Sequence, residues 1–204
     1  MLTGKQLAIL EVFRKNLGKK LTFSEIKKQA RINSNDFIQR VLAILAEESI
    51  ITSEQVGRSI IYSINLTPRT LSYFSLIPFE IFKLPEKILN EIQKEVSKET
   101  SFFSLVVFGS YAKKQETKTS DIDIAIILEN EKKINQIEAI VESLKLKSIP
   151  QLDIHLISVK DFEEMLNSEE ENLGKEIARN HLVYSNPGIF YKLTKKWIQL
   201  KDYT

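Results

Sequence analysis

The chain has 204 residues with 43% hydrophobic content, enough to bury one large core or two small ones. It contains no cysteine, which excludes disulfides, thiolate metal sites and a cysteine nucleophile, and its 2 histidines, His155 and His181, lie too far apart in sequence to suggest a histidine zinc site. The net charge of +2 is unevenly spread: residues 1–66 carry 10 Lys+Arg against 6 Asp+Glu, and the remainder 19 against 21.

Residues 6–17 place Leu7, Leu10, Phe13 and Leu17 at helical spacing, and Gly18 closes the run. No apolar run reaches membrane-spanning length, and Glu11 interrupts the first apolar segment, so a cytoplasmic protein without membrane contact is expected. Thr22 and Glu25, in T-F-S-E, form a capping-box pattern that starts a short second helix through Ala30. After a turn at Arg31-Ile32-Asn33, residues 34–48 set Phe37, Ile38, Val41, Leu42 and Leu45 on one face of a third helix. Ile50-Ile51-Thr52, a turn near Val56-Gly57-Arg58 and residues 59–65 read as a β-hairpin. This order over residues 1–66 resembles a winged helix-turn-helix domain. The resemblance implies contact with double-stranded DNA, the third helix presenting Asn35, Asp36, Gln39 and Arg40 to the major groove and Arg58 reaching phosphate or the minor groove. Winged helices also act as protein–protein adaptors, and Asp36 with few basic neighbours keeps that alternative open.

Residues 67–84 are interrupted by Pro68 and Pro78 yet carry Leu71, Tyr73, Phe74, Ile77 and Phe82. That much apolar surface does not suit a solvated linker, so an apolar connecting segment packed between two modules is expected. Pro85 opens a helix to about Lys98, with Ile88, Leu89, Ile92 and Val96 on its buried side. Then come a strand over residues 102–108, a Gly-Ser turn into a short helix, a strand over 121–128 and a helix over 132–146. Pro150 precedes a third strand over 152–158. The rest reads as mostly helical, with a break at Asn186-Pro187-Gly188, and places His181 and Tyr184 in packed helix. The fold class is therefore α+β, with residues 85–204 forming a small mixed sheet flanked by helices and a helical C-terminal part.

Alternation along a strand puts Asp121, Asp123 and Ala125 on one face and Ile122, Ile124 and Ile126 on the other. Carboxylates two residues apart are separated by ~7 Å and repel by roughly 2 kcal/mol at an effective dielectric of ~20. A divalent cation converts that repulsion to attraction, and hard oxygen ligands suit Mg²⁺ or Mn²⁺. Asp153 and His155 share a face of L-D-I-H-L-I-S. If that strand lies beside the first, Asp153 becomes a third carboxylate able to hold metal or accept a hydroxyl proton. Taken alone, Asp153 is an ordinary aspartate near a strand start. Gly109 lets backbone approach a ligand closely, and Ser110 opens a helix whose N–H groups can face phosphate. Lys113, Lys114 and Lys118 add positive charge nearby.

Gly-Ser, ten residues from Tyr111 to Ser120, then Asp-Ile-Asp, between two apolar strands, resembles the signature of the nucleotidyltransferase superfamily of DNA polymerase β. Within it, G-S-Y-A followed by S-D-I-D-I is similar to the minimal nucleotidyltransferases of bacteria and archaea, over about residues 85–185. The resemblance implies a metal-dependent transfer of a nucleoside monophosphate from NTP, ATP first among them, with release of pyrophosphate. It implies Asp121, Asp123 and Asp153 as catalytic metal ligands for Mg²⁺ or Mn²⁺, and Gly109, Ser110 and Lys113 as holders of the triphosphate. Members often resemble antitoxins that adenylylate a HEPN-domain toxin, so a HEPN protein or another macromolecular hydroxyl is the implied acceptor, and a homodimer is a further expectation. The alternative is a DNA-binding transcriptional regulator whose nucleotidyltransferase domain senses nucleotide or docks a partner. Lys114 stands where many members carry Gly, either crowding the backbone approach or binding phosphate.

Overall fold

The computed structural model describes residues 2–82, 84–146, 148 and 151–200 of the chain; Pro150 lies outside the described residues. The fold divides into two compact units, one built on Met1–Ile81 and one of Phe82–Trp197.

In the first unit the order is α1 (Gly4–Lys15), β1 (Leu21–Thr22), α2 (Phe23–Ala30), α3 (Asn35–Glu47), β2 (Ile51–Val56), β3 (Ser59–Ile64), α4 (Pro68–Phe74) and α5 (Ile77–Glu80). The three strands pair antiparallel in the order β1-β3-β2. Helix α1 starts at Gly4, before Gln6, because Gln6 Oε1 accepts from Thr3 N–H at 2.7 Å, which caps the helix earlier than apolar spacing indicates. Thr22 and Glu25 form the capping box read from T-F-S-E, with Glu25 Oε2 accepting from Thr22 N–H at 2.8 Å. Leu7, Leu10, Phe13, Ile26, Ile38 and Leu45 are all buried at its centre. Strand β1 has 2 residues and no readable alternation, so only pairing with β3 defines it. The segment expected to connect two modules instead holds α4 and α5, both packed on α1. Pro68 begins α4 rather than breaking the chain, with the Thr67 side chain capping it.

The second unit runs α6 (Glu86–Glu99), β4 (Phe103–Val107), α7 (Gly109–Lys113), β5 (Ile122–Leu128), α8 (Glu131–Lys145), β6 (Leu152–Ser158), α9 (Val159–Asn167), α10 (Leu173–Arg179) and β7 (Leu182–Ser185), and α11 (Pro187–Leu200) is the last element among the described residues. The sheet order is β6-β5-β4-β7. Strand β5 pairs antiparallel with β4 and parallel with β6, and α8 makes the crossover that a parallel pair requires. From Ile124 to Leu128 every residue of β5 is buried, which explains the unbroken apolar run I-A-I-I-L in a strand covered on both faces.

Strand β7 interrupts the C-terminal part, which the sequence reads as mostly helical, and corrects the placing of Tyr184 in helix. It adds an outer strand beside β4, and Tyr184 lies in it, its hydroxyl donating to Asn90 Oδ1 at 2.8 Å. All 4 residues of β7 are buried, so neither a period of two nor a helical period marks it. His181 lies just before β7 and is buried, its ring nitrogens 3.0 Å from the Ala178 carbonyl and 3.1 Å from the Tyr191 hydroxyl.

Candidate functional site

The candidate site forms where β4 ends against the start of β5. Phe108 N–H donates to the Asp123 carbonyl at 3.0 Å, the last bond of the antiparallel pair. Gly109 then takes φ +62° and turns the chain across β5 into α7. Both the turn and the crossing require glycine here. A Cβ on Gly109 would lie 1.9 Å from Asp123 Oδ2 and 2.7 Å from its Cγ. The Asp123 carboxylate therefore rests directly on the Gly109 backbone.

Asp123 is half-buried, and burial pushes its carboxyl above the ordinary aspartate range. The Ser110 backbone N–H, hydrogen-bonded to it, opposes that push; the charges of Asp153 and Glu176 add to it, and His155 pulls the other way. Asp153 is the in-register partner of Asp123 across the parallel pair β5–β6, as Ala125 is of His155. The adjacency of those strands, only conditional in the sequence, is realised. His155 Nε2 lies 3.2 Å from Asp153 Oδ2, and the His155 ring stands 5.7 Å from that of Phe108.

Asp121 immediately precedes β5, which begins at Ile122, and is exposed. It shares with Asp153 a cleft of about 340 Å³ whose other walls are Lys145, Leu146, Gln151 and Leu152. Among the described residues no three Asp, Glu or His side chains gather at metal-ligand spacing. The donor chemistry of Asp123 and Asp153 nonetheless fits a hard divalent ion. Both are oxygen donors in register on neighbouring strands, and the half-buried member bears a carboxylate disfavoured by burial and by its neighbour's charge.

The end of α7 and the loop after it carry the lysines. Lys113 Nζ lies 3.0 Å from Glu176 Oε1, so the lysine expected on phosphate is engaged by a carboxylate of α10. Glu176 has no local sequence signal, because only the tertiary fold brings α10 to this end of the sheet. Lys114 adopts the left-handed conformation, φ +55° and ψ 43°, that glycine accepts most easily, and its Nζ lies 4.7 Å from the centre of the Phe82 ring. Its ammonium is thus drawn onto an aromatic ring. The turn before Asp121 is tied by Ser120 Oγ, which accepts from Thr117 N–H at 2.9 Å.

In the first unit, Asn35, Asp36, Gln39 and Arg40 are exposed on α3, and Arg58 is exposed at the β2–β3 turn. Arg40 Nε donates to the Asp36 carbonyl at 3.3 Å. No described helix is long and apolar enough to cross a membrane.

Residues 86–184 match the family model described as nucleotidyltransferase domain. A 41-residue stretch, 20% of this chain, is 44% identical to a Methanocaldococcus jannaschii protein named "Putative protein adenylyltransferase MJ0126". The match spans 42% of that relative's length. No solved structure matches the chain.

Proposed function

We propose that the second unit transfers a nucleoside monophosphate, AMP in the first instance, from NTP to a hydroxyl of a macromolecule. The observation that carries this reading is the contact of Gly109 with the Asp123 carboxylate, which joins a Gly-Ser turn to an aspartate paired in register with Asp153. The family match over residues 86–184 supports the reaction class, and the adenylyltransferase name of the relative supports AMP as the group moved.

The Ser110 hydroxyl and the Lys113 ammonium would bind the triphosphate oxygens beside the Gly109 turn. Asp121, Asp123 and Asp153 would hold Mg²⁺ or Mn²⁺, and Asp121 and Asp153 line one cleft. When bound, such an ion supplies positive charge against the phosphate oxygens and the carboxylates. Asp153 accepts the proton of the acceptor hydroxyl, and His155, 3.2 Å away, orients that carboxylate. The acceptor oxygen forms a bond to the α-phosphorus as the bond from that phosphorus to the bridging oxygen breaks. Pyrophosphate leaves with the electron pair. A HEPN-domain toxin is the acceptor class this reading favours, with the chain as its antitoxin.

The test is label transfer from the α-phosphate of each NTP, with Mg²⁺ or Mn²⁺, to candidate acceptors, beside an Asp121→Ala/Asp123→Ala variant. Transfer by the wild type and none by the variant supports the reading. No transfer by the wild type to any acceptor sinks it.

A second reading concerns the first unit. Its order of α1, β1, α2, α3 and a β2–β3 hairpin supports a winged-helix reading, and α3 exposes Asn35, Gln39 and Arg40. We propose that it binds double-stranded DNA, making the chain a regulator whose second unit senses nucleotide or docks a partner. Affinity for upstream DNA should fall linearly with salt on logarithmic axes and show sequence preference. A flat salt dependence or no preference removes this reading.

A further inference from the structure

We propose that Glu176 is a positioning residue for the nucleoside triphosphate, acting through Lys113; the inference rests on the transferase reading above. Lys113 ends α7, the helix that Gly109 opens, and its ammonium lies 3.0 Å from Glu176 Oε1. The two residues come from elements far apart in sequence, so the pair exists only because α10 is held at this end of the sheet.

Three features hold α10 there. Lys175 is only 6% exposed, and its Nζ donates to the Ser168 carbonyl at 2.5 Å and to the Glu170 carbonyl at 2.8 Å. Asn172 caps the helix by accepting from Lys175 N–H at 3.1 Å, and its side-chain N–H donates to the Met165 carbonyl at 2.8 Å. Gly174 packs so closely on α9 that a Cβ there would meet Met165 Cβ at 2.6 Å. Arg179, at the far end of the helix, donates to both oxygens of Glu171, at 2.5 and 2.6 Å. A buried lysine, a cap and a close packing contact thus fix the residue next in sequence, Glu176.

A lysine side chain free in solvent loses much of its rotamer freedom when it grips a phosphate. Glu176 removes part of that loss in advance by holding the ammonium of the residue that ends α7, the helix Gly109 opens. The ammonium has three donors, and one spent on Glu176 leaves two for phosphate oxygens. A carboxylate near a polyanion is otherwise repulsive, and Glu176 already pushes the Asp123 carboxyl upward. Behind Lys113 it orients a cation instead. Both partners are partly exposed, so the pair contributes little to stability and its removal is read in binding.

The experiment is ATP titration calorimetry with Mg²⁺, together with transfer rates over a range of ATP. It uses the full chain as wild type, Glu176→Ala, Glu176→Gln, Lys113→Ala and the Lys113→Ala/Glu176→Ala double variant. Glu176→Ala should weaken ATP binding and raise KM about two- to fivefold, the worth of an exposed ion pair, with kcat and thermal midpoint unchanged. Glu176→Gln should recover part of the loss, because its amide oxygen still accepts from the ammonium. The double variant should bind no more weakly than Lys113→Ala, since one interaction is removed in both. Equal or tighter ATP binding by Glu176→Ala, or penalties that add in the double variant, would overturn the inference and leave the transferase reading standing. A wild type that binds no NTP overturns both.

Discussion

Replacing Gly109 with alanine should damage the second unit through two separable causes. The left-handed backbone at φ +62° costs a non-glycine residue about 1–2 kcal/mol. The new Cβ would fall 1.9 Å from Asp123 Oδ2, so the carboxylate must swing away and give up its bond from Ser110 N–H. That bond is half-exposed, so its loss adds about 1 kcal/mol, below the roughly 1.5–3 kcal/mol of a buried charged acceptor. The sum, about 2–3 kcal/mol, lowers the melting midpoint of a unit this size by roughly 10–20 °C, and transfer is lost with the displaced carboxylate. Gly57→Ala is the matched control. Gly57 has φ +59° with nothing within 4 Å of its would-be Cβ, so it carries the backbone cost alone and leaves transfer intact. Urea and thermal unfolding of both variants, followed by label transfer, give the comparison. If Gly109→Ala is no worse than Gly57→Ala in stability and activity, the close approach of Gly109 to Asp123 is not what shapes the site.

Burial raises the Asp123 carboxyl, so ionisation is disfavoured in the folded state and stability falls as pH rises from the unfolded value through the folded one. In chelator-containing buffer, Asp123→Asn should therefore flatten the pH dependence of unfolding and be at least as stable as wild type at neutral pH, while abolishing transfer. Thr22→Ala should destabilise the first unit by about 1 kcal/mol in urea unfolding, through loss of the α2 cap. Hydrogen bonds from Thr22 lower the Glu25 carboxyl, a contribution present above its unfolded value and lost as pH falls through the folded one, so the Thr22→Ala deficit should shrink in acid. Lys114→Gly relieves about 1–2 kcal/mol of left-handed strain but gives up about 0.5–1 kcal/mol of contact with Phe82 and adds unfolded-chain freedom. Its unfolding midpoint should match wild type closely, and transfer should persist. A variant inactive for want of Lys114 would show that this side chain binds phosphate.

Much of the second unit was legible in the sequence because its signals are local. The apolar runs of β4 and β5 and the Gly-Ser turn between them need no distant partner to be recognised. The capping box at Thr22 was legible for the same reason. What could not be read depends on partners far along the chain. Strand β7 is short and buried throughout, so its pairing with β4 alone reveals it. The register that sets Asp153 opposite Asp123 belongs to the fold, as does the Glu176 contact with Lys113. Pro68 misled in another way, since a proline at the first position of a helix starts it as readily as one elsewhere stops it.

The most direct measurement compares ATP labelled in the α-phosphate with ATP labelled in the γ-phosphate, using the same acceptor, metal and protein. A nucleotidyltransferase moves the α-label onto the acceptor and releases the γ-label as pyrophosphate, and Asp123→Ala should abolish both. Label reaching the acceptor from the γ-phosphate, or from neither position, would contradict the assignment of this site to nucleoside monophosphate transfer.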